Sequence, residues 1–366
     1  MGNFKHYVMI LFLGSGVSLP TQLPGVDELT RAVLSGEWHK HTDQLFYSGR
    51  NPSVIDADPT LVIQRFLRFL KGLADAGFAK EGRAEANYED LFFICKQLQE
   101  HEDGMGRNVS ILPFLESMRI SLEQFLVDQR HLSGYHSPLH GLASMSCTLI
   151  QSVVQKTLHT VRDPVGLDLV LELVENTDTT IVTLNHDILV EWVLRDGAVA
   201  YRDGFSEPDG DVRWFDEKLL RPGDGVVLLK PHGSIDWSSF FPTGGTNRSP
   251  RMAILVGNDR FHSRTQDGDM LDNSGNPEFL TGVGNKIGSY NSGIFAEMMF
   301  RFHEVLKSEQ QIVMSGYGWA DQGINVRLVD WLLMDKNRKL FLLHERPEEF
   351  RERLTPLTFR RDDLRE

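Results

Sequence analysis

Short apolar runs that stop at a glycine or a small polar residue recur at both ends of this chain and are missing from its middle. They read "YVMILFL" (7–13), "TTIVTL" (179–184), "VVLLKPHGS" (226–234), "MAILV" (252–256), "QQIVMSGYG" (310–318) and "KLFLLH" (339–344). Runs this short and this rich in branched residues are strands buried on both faces, as in a parallel sheet. Helical periods lie between them. "PGVDELTRAVL" offers Asp27 as a cap and Leu29, Val33 and Leu34 on one face; "DILVEWVLR", "SGIFAEMMFRFHEVLKS" and "GINVRLVDWLLMD" follow. The alternation predicts an α/β fold with a Rossmann-like, mostly parallel sheet covered by helices.

The middle has a different period. From about Pro59 to Glu175, apolar residues recur at three and four, in "TLVIQRFLRFLKGLA", "NYEDLFFICKQLQ", "LPFLESMRISLEQFLVDQ", "PLHGLASMSCTLIQSVVQKTL" and "DPVGLDLVLELVEN". Asn87 is the expected cap of the second, and Pro113 and Pro138 mark helix starts. This block reads as a helical module inserted after the first strand–helix unit. The expected organisation is one domain over 1–345, with a core of 1–40 and 176–345, an insert of about 41–175, and a charged tail at 346–366. "GEWHKH" reads as a helix end. Asn258 to Ser292 is polar and glycine-rich and reads as a long loop, of the kind that serves a site. The tail is expected to be solvated.

Thirty-eight Lys and Arg stand against 51 Asp and Glu, a net charge of −13. That balance argues against broad electrostatic binding of nucleic acid, while leaving room for a local basic groove. No apolar run reaches the roughly 20 residues needed to span a bilayer. The apolar start is at the short limit for a signal peptide and runs into a structured segment, so a cytoplasmic protein is expected. Cys95 and Cys147 cannot form a disulfide framework or a four-cysteine zinc site, and read as two buried thiols in a reducing compartment.

In open α/β sheets, ligands bind beyond the carboxyl ends of the strands. Four strand ends here carry chemistry: Gly14-Ser15-Gly16-Val17-Ser18, Asn185-His186-Asp187, Pro231-His232-Gly233-Ser234, and Gly316-Tyr317-Gly318-Trp319-Ala320-Asp321. A glycine turn lets backbone N–H groups approach a pyrophosphate. The third glycine and the ribose-holding acid of a dinucleotide dehydrogenase are absent, and so is the lysine of a P-loop. Hydride transfer and nucleoside triphosphate hydrolysis are therefore disfavoured. His232 is a candidate general base, against the plainer role of a histidine bonded to a loop carbonyl. Asn185 is a candidate to orient a sugar hydroxyl or a water. His186 is expected to point elsewhere, and Asp187 to cap the next helix. His131, His136 and His140 show no carboxylate partner or ligand spacing in the sequence and read as surface or packing residues.

In their order, "LGSGVS", "TLNHDILVE", "LLKPHGSIDW" and "SGYGWADQGIN" resemble the sirtuin-like NAD-consuming domain, in particular the divergent branch of bacterial anti-phage defence systems. The resemblance covers about residues 7–345. It implies that Gly14, Ser15, Gly16 and Ser18 line the pyrophosphate and nicotinamide side of NAD, with Ser18 toward the bond to be broken. It implies that Asn185 and Asp187 lie by the nicotinamide ribose, with Asn185 required for cleavage, and that His232 is the catalytic histidine. Gly316, Gly318, Asp321 and Asn325 are implied at the adenosine half. Protein-deacetylating sirtuins carry a zinc module with two paired-cysteine motifs; two lone cysteines cannot supply it, so no zinc is expected. The implied reaction is hydrolysis of NAD, used as substrate, to nicotinamide and ADP-ribose. Alternatives are an NAD-dependent protein deacylase or ADP-ribosyl transferase, and a non-catalytic NAD or ADP-ribose sensor. Unrestrained NAD loss is lethal, so control is expected through a homo-oligomer or a partner protein. By analogy that partner is a helicase/ATPase of the HerA type or a short Argonaute.

Overall fold

β1 (Met9–Leu13) has four buried residues in five and no charge, a composition that suits only the inside of a sheet. In the computed structural model it pairs in parallel with β4 (Thr179–Thr183) on one side and β11 (Gln311–Ser315) on the other. The structure describes residues 9–40, 46–48, 60–82, 84–103, 111–126, 137–159, 166–174, 179–221, 225–242, 250–257, 262–281 and 286–346. β4 pairs with β7 (Val226–Leu229), β7 with β5 (Tyr201–Arg202), and β11 with β12 (Lys339–Leu343). The result is a six-stranded, all-parallel sheet in the order β12-β11-β1-β4-β7-β5, a Rossmann-like arrangement.

Successive residues of these strands face opposite sides. Ile10, Phe12, Val182, Leu229, Ile312 and Met314 pack with Met298 and Phe302 of α9 (Gly293–Ser308) and with Ile324, Leu328 and Trp331 of α10 (Gln322–Met334). Leu11, Leu13, Ile181 and Leu228 pack with Val170 of α6 (Asp168–Val174) and with Val190 and Leu194 of α7 (Leu189–Asp196).

The helical module is α2 (Thr60–Lys80), α3 (Tyr88–Glu102), α4 (Leu112–Leu126) and α5 (Pro138–His159). Phe66, Leu67, Leu91, Cys95, Leu142, Leu149 and Val153 form its core, which Leu29 and Val33 of α1 (Val26–Leu34) join. Asn87 caps α3 by accepting from the N–H groups of Glu89 and Asp90 at 2.8 and 3.3 Å. Both cysteines are buried and free. α1 departs from expectation at its start: Gly25, not Asp27, is its cap, and its N–H donates to Glu28 Oε2 at 3.0 Å. "GEWHKH" is no helix end. Trp38–Lys40 (β2) pairs antiparallel with Phe46–Ser48 (β3), so the tryptophan that looked like a helix terminus starts a hairpin.

A second sheet went unforeseen. β6 (Val212–Trp214), β8 (Gly233–Pro242), β9 (Arg251–Leu255) and β10 (Leu271–Phe279) form an antiparallel sheet in the order β10-β8-β9-β6. "MAILV" belongs to this sheet and not to the parallel one. The stretch from Asn258 to Ser292 is likewise no plain loop, since it holds β10 and the single turn α8 (Lys286–Ser289). β10 hid because it is an edge strand, carries Gly275 and Pro277, and shifts register twice against β8, which erases any regular alternation. Its Phe279, with Ile235 of β8, enters the core of the helical module and joins the small sheet to it. The tail beyond 346 lies outside the described residues. No helix among the described residues is long and apolar enough to cross a membrane.

Candidate functional site

The chain leaves β1 toward β4 on one side and leaves β11 toward β12 on the other. The sheet is thus wound outward in both directions, and the loops after β1 and β11 flank the point where the direction changes. That is where an open α/β sheet forms a crevice. Here the two loops touch. Gly14 N–H donates to the Ser315 carbonyl and Gly16 N–H to the Gly316 carbonyl, both at 2.9 Å. A Cβ on Gly14 would stand 2.6 Å from the Gly316 oxygen. Gly316 has φ +68°, and a Cβ there would stand 2.4 Å from the Val17 nitrogen. Glycine at both places is therefore a steric requirement of two backbones in contact.

Above this junction lies a cavity of about 550 Å³. Gly14, Ser15, Gly16, Ser18, Asn185, Asp187, His232, Gly318 and Asp321 all line it, together with His186 and Tyr317. Its other wall comes from outside the sheet: Pro24, Gly25, Val26 and Leu29 around α1, Asn87, Tyr88 and Glu89 at the start of α3, Leu158 of α5, and Lys286 of α8. Thr30 Oγ1 accepts the Tyr88 N–H at 3.0 Å, which fixes the start of α3 on α1. Gly316 lies beneath the cavity, against Gly14 and Gly16. Asn325 is buried behind it, its Oδ1 accepting from the Tyr317 hydroxyl at 2.7 Å and its Nδ2 donating to the Trp319 carbonyl at 2.9 Å.

Two hydrogen-bonded chains face the cavity. In the first, Asn185 Nδ2 donates to Ser18 Oγ at 3.0 Å, and Ser18 Oγ donates to Asp187 Oδ2 at 3.1 Å. The other carboxylate oxygen of Asp187 accepts the Leu189 N–H at 3.1 Å, although the cap of α7 is Ile188 and not Asp187 as expected. The bond to Ser18 also fixes how the Asn185 amide is turned. It leaves Oδ1 buried with no partner, an arrangement that costs about 1–3 kcal/mol in a folded protein unless something fills it.

In the second chain, Tyr290 donates its hydroxyl proton to Asp321 Oδ2 at 2.7 Å, and His232 Nε2 lies 2.7 Å from the same hydroxyl and 3.2 Å from Asp321 Oδ2. Nε2 then carries the ring proton, and the basic lone pair is on Nδ1. Burial pushes the His232 pKa down, the nearby Lys286 adds to this, and Asp321 opposes it. Burial alone would raise Asp321, but the bond and charge of His232, with the Ile324 N–H and Tyr290, hold its carboxyl well below the usual range. Burial and the Asp321 charge push the Tyr290 pKa far up, so the phenol remains a donor. The outcome is a neutral imidazole backed by a carboxylate, which can take up a proton and have the resulting charge stabilised.

A buried lysine joins the loops that carry these chains. Lys230 Nζ donates to the Asp187 carbonyl at 2.5 Å, to Glu191 Oε1 at 2.8 Å and to Ser234 Oγ at 2.9 Å. Burial pushes Glu191 up to about 7, against the pull of Lys230.

The geometry changes two readings made from sequence. His186 does not point away; it lines the same cavity, with its ring centre 6.2 Å from that of His232 and 4.7 Å from that of Phe279. Asp321 sits against His232. His140 does have a carboxylate partner, Asp103 Oδ1 at 3.0 Å, far from the cavity in the helical module; His131 and His136 lie outside the described residues. Tyr290, Lys230, Lys286 and Glu89 escaped the sequence reading altogether. Lys230 had a signal, an apolar strand ending in lysine just before the histidine turn. Tyr290 had none, because it lies in the stretch read as loop. No family model and no curated protein matches the chain.

Proposed function

We propose that the chain hydrolyses NAD to nicotinamide and ADP-ribose. The observation that carries the reading is Asn185: its Oδ1 is an unfilled buried acceptor, locked in place by Ser18, in the same cavity as a neutral histidine with an acidic partner. A ribose hydroxyl supplies the donor that this acceptor lacks. The cavity lies over the glycine junction of the sheet, and its volume suits a ligand of dinucleotide class.

The chemistry asks little of a general acid. Nicotinamide leaves NAD as a neutral molecule from a cationic group, so the bond from ribose C1′ to nitrogen breaks with its electron pair going to the ring. The transition state is oxocarbenium-like, as in glycoside cleavage. What the site supplies is orientation of the ribose and a base. Asn185 holds the sugar through a hydroxyl. Water attacks C1′, and His232 takes a proton from that water or from a ribose hydroxyl before passing it to solvent. Asp321 stabilises the imidazolium while it exists. The balance is NAD and water in, nicotinamide, ADP-ribose and a proton out.

The order of the strand-end motifs extends the proposal to a cytoplasmic, homo-oligomeric effector of anti-phage defence. It acts by depleting NAD under control of a partner of HerA or short-Argonaute type. Chromatography of the purified protein with NAD, alone and with the partner encoded beside it, tests the reaction. Asn185→Ala and His232→Ala are each expected to lower turnover by about 10²–10⁴-fold with the fold intact. Variants that turn over at the wild-type rate overturn the assignment. Nicotinamide release only in the presence of an acyl-lysine peptide makes the protein a deacylase instead.

A further inference from the structure

The cavity is short of positive charge. Three carboxylates line it, Glu89, Asp187 and Asp321, against a single ammonium among the described residues, that of Lys286. The usual backbone donors for an anion are already taken. In the glycine turn, the N–H groups of Gly14, Gly16 and Val17 donate to the carbonyls of Ser315, Gly316 and Gly14. The two helix starts that reach the cavity are closed as well. Gly25 N–H donates to Glu28 Oε2 at the head of α1, and the Glu89 and Asp90 N–H groups donate to Asn87 at the head of α3. Both first turns carry acids of their own. Lys286, in contrast, is poorly used. Its side chain is 12% exposed, and its one hydrogen-bond partner among the described residues is Glu89 Oε2, at 3.5 Å. An ammonium has three donors and bonds best at about 2.7–3.2 Å, and a buried charge is costly unless it is well paired. One long contact leaves most of its capacity for something that enters the cavity.

We propose that Lys286 is a specificity-determining residue that holds the phosphate beside the nicotinamide ribose, its ammonium leaving Glu89 for that phosphate when the substrate binds. The inference rests on the NAD reading of the site and makes its substrate a phosphorylated nucleoside, not a bare one. The place of Lys286 selects the phosphate. Tyr290 N–H donates to the Lys286 carbonyl at 2.9 Å, so the lysine stands one helical turn before the tyrosine whose hydroxyl serves His232 and Asp321. His186 and His232 both feel its charge. The ammonium therefore belongs to the end of the cavity where the ribose is cleaved. Charge-assisted bonds from nitrogen to phosphate are among the strong ones, and an anion entering past three carboxylates needs one. Glu89 then has a defined part: it occupies the ammonium in the empty site and competes with the phosphate for it.

Calorimetric binding of carbocyclic NAD to the full-length protein tests this without turnover, since a methylene in place of the ribose ring oxygen forbids the oxocarbenium. Lys286→Met is expected to weaken binding about 10–100-fold. Lys286→Arg, which keeps the charge, is expected to retain most of the affinity. Glu89→Gln frees the ammonium and is expected to tighten binding; a lysine that merely ties α8 to α3 would give a loss there instead. The carbocyclic mononucleotide keeps the phosphate and is expected to lose the same factor in Lys286→Met. The carbocyclic nucleoside lacks it and is expected to bind wild type and Lys286→Met alike. Unchanged affinity for the dinucleotide in Lys286→Met overturns the role of Lys286 and leaves the NAD reading in place. An equal loss for the nucleoside, or a loss in Glu89→Gln, does the same. Absence of dinucleotide binding by the wild type overturns the reading of the site and this inference with it. Should Lys286→Met fail to fold, Lys286→Gln and Glu89→Gln still decide.

Discussion

Asp321 does separate work with its two carboxylate oxygens. Oδ1 accepts the Ile324 N–H at 3.0 Å and caps α10, while Oδ2 takes the Tyr290 hydroxyl and faces His232. Asp321→Asn keeps an acceptor for the cap and removes the charge beside the imidazole. A base must be neutral to act, so activity is present above the His232 pKa and is lost as pH falls through it. That pKa lies below its ordinary 6.5, and Asp321 is among the groups holding it up. The acid limb of kcat/KM is therefore expected below pH 6.5, and in Asp321→Asn it is expected to move lower still. A limb above 6.5, or an upward move in the variant, would remove His232 from the role of base. The glycines give a matched pair at the same scale. Gly316→Ala meets backbone and a positive φ and is expected to cost about 1–3 kcal/mol. Gly318→Ala, in the same loop, meets nothing within 4 Å and is expected to stay within about 0.5 kcal/mol. Denaturant midpoints of the two variants check this. Equal losses would mean that the β1–β11 loop contact is not what glycine is needed for.

Helix α3 belongs to the inserted module, yet its first residues form a wall of the cavity. Tyr88 and Glu89 line it, and Lys286 Nζ lies 3.5 Å from Glu89 Oε2. The cap that starts α3 thus also sets part of the site. Asn87→Ala is expected to lose about 1 kcal/mol of stability and, as the first turn loosens, to raise the KM for NAD more than it lowers kcat. Urea unfolding together with steady-state kinetics reads both, and a change confined to kcat would put α3 outside substrate binding. Asn87 was legible because a cap works within four residues of chain, and the "NYED" pattern contains all of it. The same locality made the buried parallel strands legible, since each is a short apolar run closed by a turn. β10 was not. Its place depends on β8 accepting a bulged edge partner, and no local pattern encodes that. Asp27 misled for a related reason: a good capping type stood two residues past a glycine that already held the extended turn.

Across the whole molecule, the cavity collects residues from the strand ends of the parallel sheet, from the helical insert, and from α1 and α8. The strand-end rule could find only the first group. His232, Asn185 and the glycines each sit at the end of an apolar run, whereas Tyr290 and Lys286 arrive through tertiary packing alone. Burying so many titratable groups in one place has a consequence for the fold. His186 and His232 both have native pKa values pressed below 6.5, chiefly by burial. Below 6.5 the unfolded chain takes up protons that the native state refuses, so their contribution to stability is complete above 6.5 and is lost as pH falls. Glu191 runs the other way. With its native pKa pushed up to about 7, the folded state keeps a proton that the unfolded chain releases above about 4.5, so its contribution falls as pH rises across that range. Asp321, held low, matters only in stronger acid. Between pH 4.5 and 6.5 the two histidines and the glutamate therefore oppose each other. Guanidinium midpoints taken at pH 7.5 and 5.5 are expected to show a modest loss of stability in acid. His186→Leu is expected to flatten that dependence, and Glu191→Gln, which deletes the opposing group while retaining a bond for Lys230, to steepen it. If Glu191→Gln flattened the dependence instead, the carboxyl would be ionised throughout, and the Lys230 bond would outweigh the cost of burying it.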